Sequence, residues 1–238
     1  MNDAWNPWHG CRKYSEGCMH CYLYRRDSQY GKDSSIVRRT SSFRLPVSKD
    51  RTGAWKVPSG SHLYACMTSD FFLDEADAWR EEAWNMIRQR QDLSFTIITK
   101  RVPRMRECLP ADWGNGWPNV EFGVTAENQR RAQERMDVFL SIPAFRRFVL
   151  CEPMLEAIDL SPWLASGALS LVIAGGESGP QARPLCYDWV LALREQCARA
   201  HVRFHFKQTG ANFIKDGRRY HIERYLQAPQ ARRAKIDL

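Results

Sequence analysis

The sequence predicts an α/β protein whose parallel strands form a partial (βα)6-type TIM-like barrel. From residue 62 onward, short apolar runs alternate with longer stretches of helical periodicity. Each apolar run is followed at once by a polar or glycine-rich motif. This alternation favours parallel strands joined by right-handed crossovers. Because such folds carry their active sites at the carboxyl ends of the strands, we expect the polar motifs to converge on one cavity.

Six short runs rich in β-branched and aromatic residues are the predicted strands. In chain order they are residues 62–67, 94–99, 119–124, 147–151, 169–174 and 202–206. The predicted helices between them have an amphipathic period and span residues 74–91, 128–141 and 187–200. Asp74 is a candidate N-cap, and Pro143 follows the end of the second helix.

The composition is that of a globular protein, with 44% hydrophobic and 26% charged residues in a chain of 238. We expect a single domain over residues 1–238. No run of about 18 apolar residues is present, and the N-terminus lacks the basic and apolar regions of a signal peptide. The sequence therefore predicts a cytoplasmic protein without a membrane partner.

Positive charge is concentrated in two segments. Residues 25–56 hold nine Lys/Arg and three Asp/Glu, and residues 215–235 hold seven and two, in a chain whose net charge is +8. We interpret them as parts of a basic insertion at about 25–61 and a basic C-terminal extension at about 211–238. A polyanionic partner, nucleic acid first, would explain this pattern, and a solvated basic surface is the alternative.

Three of the eight cysteines lie within eleven residues, with the spacing Cys11-x6-Cys18-x2-Cys21. A Cys-x-x-Cys pair brings two thiolates close enough to share a metal centre, and cytoplasmic cysteines are more often ligands than disulfides. A [4Fe–4S] cluster with three cysteine ligands keeps one iron open. A structural zinc site needs four ligands, and His9 or His20 would supply the fourth.

The cysteine cluster followed by a (βα) series resembles the radical S-adenosylmethionine (SAM) superfamily, whose usual first gap is three residues rather than six. The chain is most similar to a phage and prophage three-cysteine family. The blocks that carry the resemblance are Trp5-Asn6-Pro7, Gly10-Cys11, Gly17-Cys18, Cys21-Tyr22, SDFF at 69–72, ITKR at 98–101, GVTAEN at 123–128, CEPM at 151–154, GGESG at 175–179 and FKQTG at 206–210. Family members carry a short strand before Trp-Asn-Pro, so we expect the first strand here to be abbreviated or absent.

The resemblance implies that Cys11, Cys18 and Cys21 hold a [4Fe–4S] cluster whose open iron binds SAM. An external electron donor would drive SAM cleavage to a 5′-deoxyadenosyl radical. Some relatives are linked to hypermodified thymine in phage DNA, which implies an isomerase or other base-modifying enzyme acting on DNA. If the protein is phage-encoded, its compartment is the host cytoplasm.

The resemblance also assigns residues to the cofactor. His20 takes the place of an aromatic residue near the adenine, and Tyr22 is expected to contact the cofactor as well. The other expected cofactor contacts are Ser69 and Asp70 for the methionine amine, Lys100 or Arg101 for its carboxylate, Thr125, Glu127 and Asn128 for the ribose, and Gly175, Gly176 and Glu177 in a glycine-rich loop.

Glu152, Lys207 and Gln208 are candidate substrate contacts, and Arg38 and Arg39 are candidate phosphate contacts. A DNA base would have to leave the duplex to reach a buried radical. Two other functions stay open. One is radical SAM chemistry on a nucleoside, a tRNA or a peptide, and the other is a zinc-stabilised, non-catalytic nucleic-acid-binding module.

Overall fold

The computed structural model describes residues 4–238, which form one large sheet, two small sheets and a set of helices. The strands are β1 (Ala4–Trp5), β2 (Trp8–His9), β3 (Arg38–Arg39), β4 (His62–Ala65), β5 (Ser94–Thr99), β6 (Val120–Thr125), β7 (Arg146–Cys151), β8 (Leu171–Gly175), β9 (Leu185–Cys186), β10 (Arg203–Gln208), β11 (Asn212–Lys215) and β12 (Arg218–His221). The helices are α1 (Tyr22–Ser28), α2 (Asp77–Gln89), α3 (Val102–Met105), α4 (Gln129–Ser141), α5 (Ser161–Leu164), α6 (Tyr187–Arg199) and α7 (Gln227–Arg233).

The large sheet is parallel throughout and has seven strands in the order β1-β4-β5-β6-β7-β8-β10. Apart from β2, β3 and β9, which belong to the small sheets, each new strand is added beside the one before it in the chain. Within residues 4–238, β1 and β10 do not pair with each other, so the hydrogen bonding of the sheet is not closed. The predicted α/β class with parallel strands is therefore confirmed, without a closed barrel.

One face of the sheet carries the main hydrophobic core. Phe95, Phe122 and Phe204 alternate with less buried neighbours and are at most 1% exposed, as a period of two residues requires. Aromatic side chains from the connections pack on this face, and the Phe122 ring is stacked on Trp113 at 5.2 Å. On the other face polar side chains pair instead, since Thr96 Oγ1 contacts the Nε2 of His62 and the Oε2 of Glu121.

Helix α4 shows how the sequence determines a local element. Its apolar positions Ala132, Met136 and Phe139 recur at spacings of four and three and are fully buried. The Asn128 side chain accepts from the Arg131 N–H at 2.9 Å and so caps the first turn. The predicted N-cap at Asp74 was wrong: Asp74 begins a short 3₁₀ turn without capping it, and its carboxylate pairs with Arg104.

The six strands and three helices predicted after residue 62 are all present, with ends shifted by at most three residues. Within residues 4–238 the first strand is β1, whose two residues pair with β4, and the residues before it lie outside the described range. The two basic segments pack on the rest of the chain. Phe43 and Val57 of the first segment lie in the main core. In the second, Asp237 accepts from the backbone N–H of Phe206 on β10.

Three small pairings had no counterpart in the sequence prediction. The pairs are β2 with β3, β11 with β12 and β11 with β9. Among residues 4–238, no helix has the length and the apolar character that crossing a membrane requires.

Candidate functional site

A cavity of about 500 Å³ lies at the carboxyl ends of β5, β7, β8 and β10. Nine of the residues selected from the sequence line it. They are His20, Cys21, Tyr22, Lys100, Glu152, Gly176, Glu177, Lys207 and Gln208. The expected convergence of the strand-end motifs on one cavity is therefore observed for four strands, together with the segment that carries the cysteines.

Cys11, Cys18 and Cys21 are free thiols, each partly exposed. Cys18 ends a 3₁₀ turn over Glu16–Cys18, and Cys21 immediately precedes α1. Gly10, before the first cysteine, has a φ of +98°, and a Cβ there would lie 2.3 Å from the carbonyl oxygen of Ile36. Only glycine allows the chain to turn this closely at that point.

The cysteine loop, residues 10–21, is fastened at its beginning to the strand ends. The Ser69 hydroxyl donates to the Gly10 carbonyl at 2.5 Å, and the Tyr24 hydroxyl donates to the Cys11 carbonyl. The backbone N–H of Cys11 donates to Ser34 at 2.8 Å. Ser69 is thus placed to position the loop, through a side chain that is already hydrogen-bonded.

Glu127 fastens the middle of the same loop. Its Oε1 accepts from the Ser15 hydroxyl and faces the Gly17 N–H at 3.4 Å, while its Oε2 pairs with Arg135 at 2.7 Å. Burial opposes ionisation of Glu127, but the charges of Lys100 and Arg135 outweigh it and hold the pKa below its usual value. A Cβ at Gly17 would lie 3.0 Å from Oε1, so the loop and the carboxylate are in direct contact.

Asp70 and Arg101 lie behind the first cysteine. The Asp70 carboxylate accepts from the Thr99 hydroxyl at 2.8 Å and from the Phe72 and Lys100 N–H groups. Arg101 pairs with Asp70 at 3.4 Å, donates to the Arg12 carbonyl at 2.8 Å and lies 4.0 Å from the Cys11 sulfur. Both side chains already have partners in the protein.

Lys100 differs from Arg101, because its ammonium has no hydrogen-bond or ion-pair partner among residues 4–238. It lines the cavity, and its positive charge favours the ionised forms of both Cys21 and Glu127. Of the two candidates for an anion contact, Lys100 is the one available to a ligand.

The far wall of the cavity is a network of paired side chains. Glu152 accepts from Lys207 at 2.6 Å and from Gln208 at 2.7 Å. Glu177 is held by Arg183 through two bonds of 2.6 and 2.9 Å. The negative charges of both carboxylates are therefore balanced by cationic partners within the protein, Lys207 for Glu152 and Arg183 for Glu177.

The remaining predicted residues lie outside the cavity wall. Thr125 is buried, Asn128 caps α4, and Gly175 ends β8 with Glu152 against it. Arg38 and Arg39 are exposed on β3, and Arg39 pairs with Glu82 at 3.2 Å.

Arg25 and Ser178 also line the cavity, and two further polar residues of its wall, Arg224 and Gln227, were not selected from the sequence. Arg25 donates to the Ser178 carbonyl at 2.9 Å and so links α1 to the loop after β8. Arg25 lies four residues after Cys21, one helical turn on, which is a signal that the sequence contained. Nothing comparable marked Arg224 or Gln227.

The chemistry of the cysteine thiols bears on which metal group the loop could hold. Burial raises the pKa of the Cys11 thiol to about 12, and it also raises the pKa of Cys21. Metal binding would have to displace these protons, as it does for thiolate ligands in general. Arg101 and Lys100 would offset the negative charge of bound thiolates.

Within residues 4–238, no three His, Cys, Asp or Glu side chains form a group that could hold a metal ion. Of the two proposed fourth zinc ligands, His9 is engaged, since its Nε2 contacts Asp27 at 2.6 Å, whereas His20 lines the cavity. The loop therefore offers three thiols beside Arg101 and Lys100 to a cluster with an open iron, and His20 as the fourth ligand of a closed zinc site.

We predict that Glu127→Gln lowers the free energy of unfolding by about 3–5 kcal/mol, because it leaves the Arg135 charge buried without its partner. Urea unfolding of the full-length protein measures the change. The matched control is Glu134→Gln, whose exposed pair with Arg131 should contribute less than about 1 kcal/mol. Equal free energies of unfolding for the two variants would show that the buried Glu127–Arg135 pair does not stabilise the protein more than the exposed pair does.

Comparison with known proteins gives one match. No curated protein and no solved structure is significantly similar to the chain. One family model, described as "Protein of unknown function (DUF5131)", matches residues 1–233. The match covers the cysteine loop, every strand of the large sheet and the cavity wall. The chain therefore belongs to the DUF5131 family.

Proposed function

We propose that the protein is a radical SAM enzyme that holds a [4Fe–4S] cluster at Cys11, Cys18 and Cys21. The observation that carries the proposal is the position of the cysteine loop. One of its cysteines lines the cavity at the carboxyl ends of the parallel strands, opposite the glycine-rich loop after β8. Active sites of α/β proteins lie at this end of the sheet.

We further propose that the open sheet is a partial (βα)6-type TIM-like barrel. Two observations support it. The parallel strands are added in sequence order, and the right-handed crossovers that such connections adopt as a rule would place the connecting helices on one face of the sheet. The Arg25 bond to Ser178 then links the first helix to a loop near the last strand, across the mouth of the cavity.

A [4Fe–4S] cluster with an open iron supplies the chemistry for reductive cleavage of SAM, with the electron coming from an external donor. The protein's own residues hold the reactants. Lys100, His20 and Tyr22 line the cavity; the Lys100 ammonium would pair with the SAM carboxylate, and His20 and Tyr22 would contact the cofactor. Glu152 and Lys207, 2.6 Å apart, offer an acceptor and a donor to the substrate.

We propose a nucleobase in phage DNA, of the hypermodified thymine type, as the substrate. The support is charge and exposure. Arg38, Arg218 and Arg219 are exposed, without an ion-pair partner among residues 4–238, and Arg224 lines the cavity. Such arginines can hold phosphates while one base, turned out of the duplex, enters the cavity. Rearrangement of the base substituent would make the protein an isomerase.

We predict that anaerobically reconstituted, reduced protein converts SAM to 5′-deoxyadenosine and methionine. Cys11→Ala, Cys18→Ala and Cys21→Ala should each abolish this reaction and the visible absorbance, because each removes a cluster ligand. Cys186→Ala, at a partly exposed cysteine outside the cavity wall, is the matched control and should keep both. Wild-type protein that holds iron but leaves SAM intact would contradict the proposal.

We predict that Lys100→Gln weakens SAM binding by about tenfold or more, the usual contribution of a charge-assisted hydrogen bond. Equilibrium dialysis with labelled SAM measures the dissociation constant, and iron content checks that the cluster is retained. Lys56→Gln, at an exposed lysine outside the cavity wall, should leave binding unchanged. Equal affinities in the wild type and Lys100→Gln would remove this residue from the cofactor site.

We predict that duplex DNA binds more tightly than tRNA and that its affinity falls steeply with salt, as phosphate contacts require. Arg38→Gln should reduce the slope of log affinity against log salt by about one. Arg146→Gln, exposed at the opposite end of the strands, should not change it. Fluorescence anisotropy supplies the affinities, and tighter binding of tRNA would favour the alternative substrate class.

A further inference from the structure

A second cavity of about 530 Å³ lies beside the candidate active site, behind the hairpin of β11 and β12. Its wall includes residues of β10, the N-terminus of α6 and the C-terminal helix α7. Gln208 and Gln227 line the first cavity, whereas their chain neighbours Thr209 and Leu226 line the second. A wall about one residue thick therefore separates the two cavities.

The floor of the second cavity is aromatic. Phe206 and Phe213 are stacked with 30° between their ring planes and 6.3 Å between ring centroids, and the Tyr187 ring is 5.6 Å from that of Phe213. Tyr220 stands on the rim with 45% of its surface exposed. Its hydroxyl has no hydrogen-bond partner among residues 4–238. Flat aromatic walls of this kind accept a planar ring of any base.

The rim of the second cavity is positively charged. Lys215 lies over the Tyr187 ring at 5.5 Å, and Arg233 and His221 complete the rim. None of the residues lining the cavity is a carboxylate, and Asp216 and Glu223 of the same segment lie outside the lining. Lys215 and Arg233 have no ion-pair partner among the residues described, so both charges are available to an anion.

We propose that the second cavity binds one nucleotide of single-stranded DNA, next to the base that occupies the first cavity. The base lies against Tyr220, and Lys215 and Arg233 hold the phosphate. Aromatic stacking combined with a basic rim is how proteins bind single strands without reading their sequence. The inference rests on the proposed function for the choice of DNA as the polymer.

The test is anisotropy of a fluorescein-labelled oligothymidylate of about twelve nucleotides, a length that spans a typical single-strand site. We expect Tyr220→Ala to weaken binding by about fivefold or more through lost stacking, and Tyr220→Phe to restore it. The double variant Lys215→Gln/Arg233→Gln should reduce the slope of log affinity against log salt by about 1.4, since each single-strand phosphate contact contributes about 0.7.

Two controls match these changes. Tyr30→Ala removes a tyrosine that is 73% exposed and lies outside both cavity walls, and Arg146→Gln removes an exposed arginine at the opposite end of the strands. Both should bind like the wild type. Loss of affinity in Tyr220→Phe as well as in Tyr220→Ala, or an unchanged salt slope in the double variant, would overturn the inference.

The anisotropy assay measures binding of the oligonucleotide and does not require SAM cleavage. The nucleotide-site proposal and the radical SAM proposal can therefore be contradicted independently of each other. If the wild type binds it and the cavity variants bind it equally well, the second cavity is not the nucleotide site, whatever the enzyme's activity. If the variants lose binding as expected and SAM is not cleaved, the nucleotide site stands and the radical SAM proposal falls.

Discussion

The contact between Glu127 and the cysteine loop is the constraint on which the site depends. A single buried carboxylate joins the cysteine loop to α4, since it accepts from Ser15, faces the Gly17 N–H and pairs with Arg135. The loop that carries the three cysteines is short of apolar side chains and has no buried core of its own. Its position is therefore fixed by polar bonds to the strand ends, and Glu127 makes the most deeply buried of them.

Because the loop is held by polar bonds, several polar side chains near the cysteines position the loop instead of facing the cavity as free ligand contacts. Ser69, Asp70 and Arg101 all follow the ends of strands. Ser69 and Arg101 donate hydrogen bonds to the cysteine loop, and Asp70 accepts one from Thr99. Lys100 is the exception, with a charge that faces the cavity. A preorganised outer layer that leaves one cation free is the expected construction for a site that must hold a reactive group and still admit an anionic ligand.

The sequence predicted the strands well because apolar runs such as 94–99 are continuous and bounded by polar residues, and burial follows that pattern directly. It also located the cavity, since parallel strands bring their carboxyl ends together. It could not separate Lys100 from Arg101, because adjacent residues at a strand end point in different directions and only the bond to Asp70 decides their roles. The two-residue strands were missed because pairs such as β2 with β3 are set by long-range contacts rather than by local pattern.

The most direct test of the central claim is the metal content and electron paramagnetic resonance spectrum of the full-length protein, purified and reconstituted without oxygen. A three-cysteine cluster predicts about four iron and four sulfide ions per chain, and a signal from the reduced protein that changes when SAM is added. Replacing Cys11 should remove that signal. Colourless protein with about one zinc ion per chain and no iron would contradict the claim and favour a structural metal site instead.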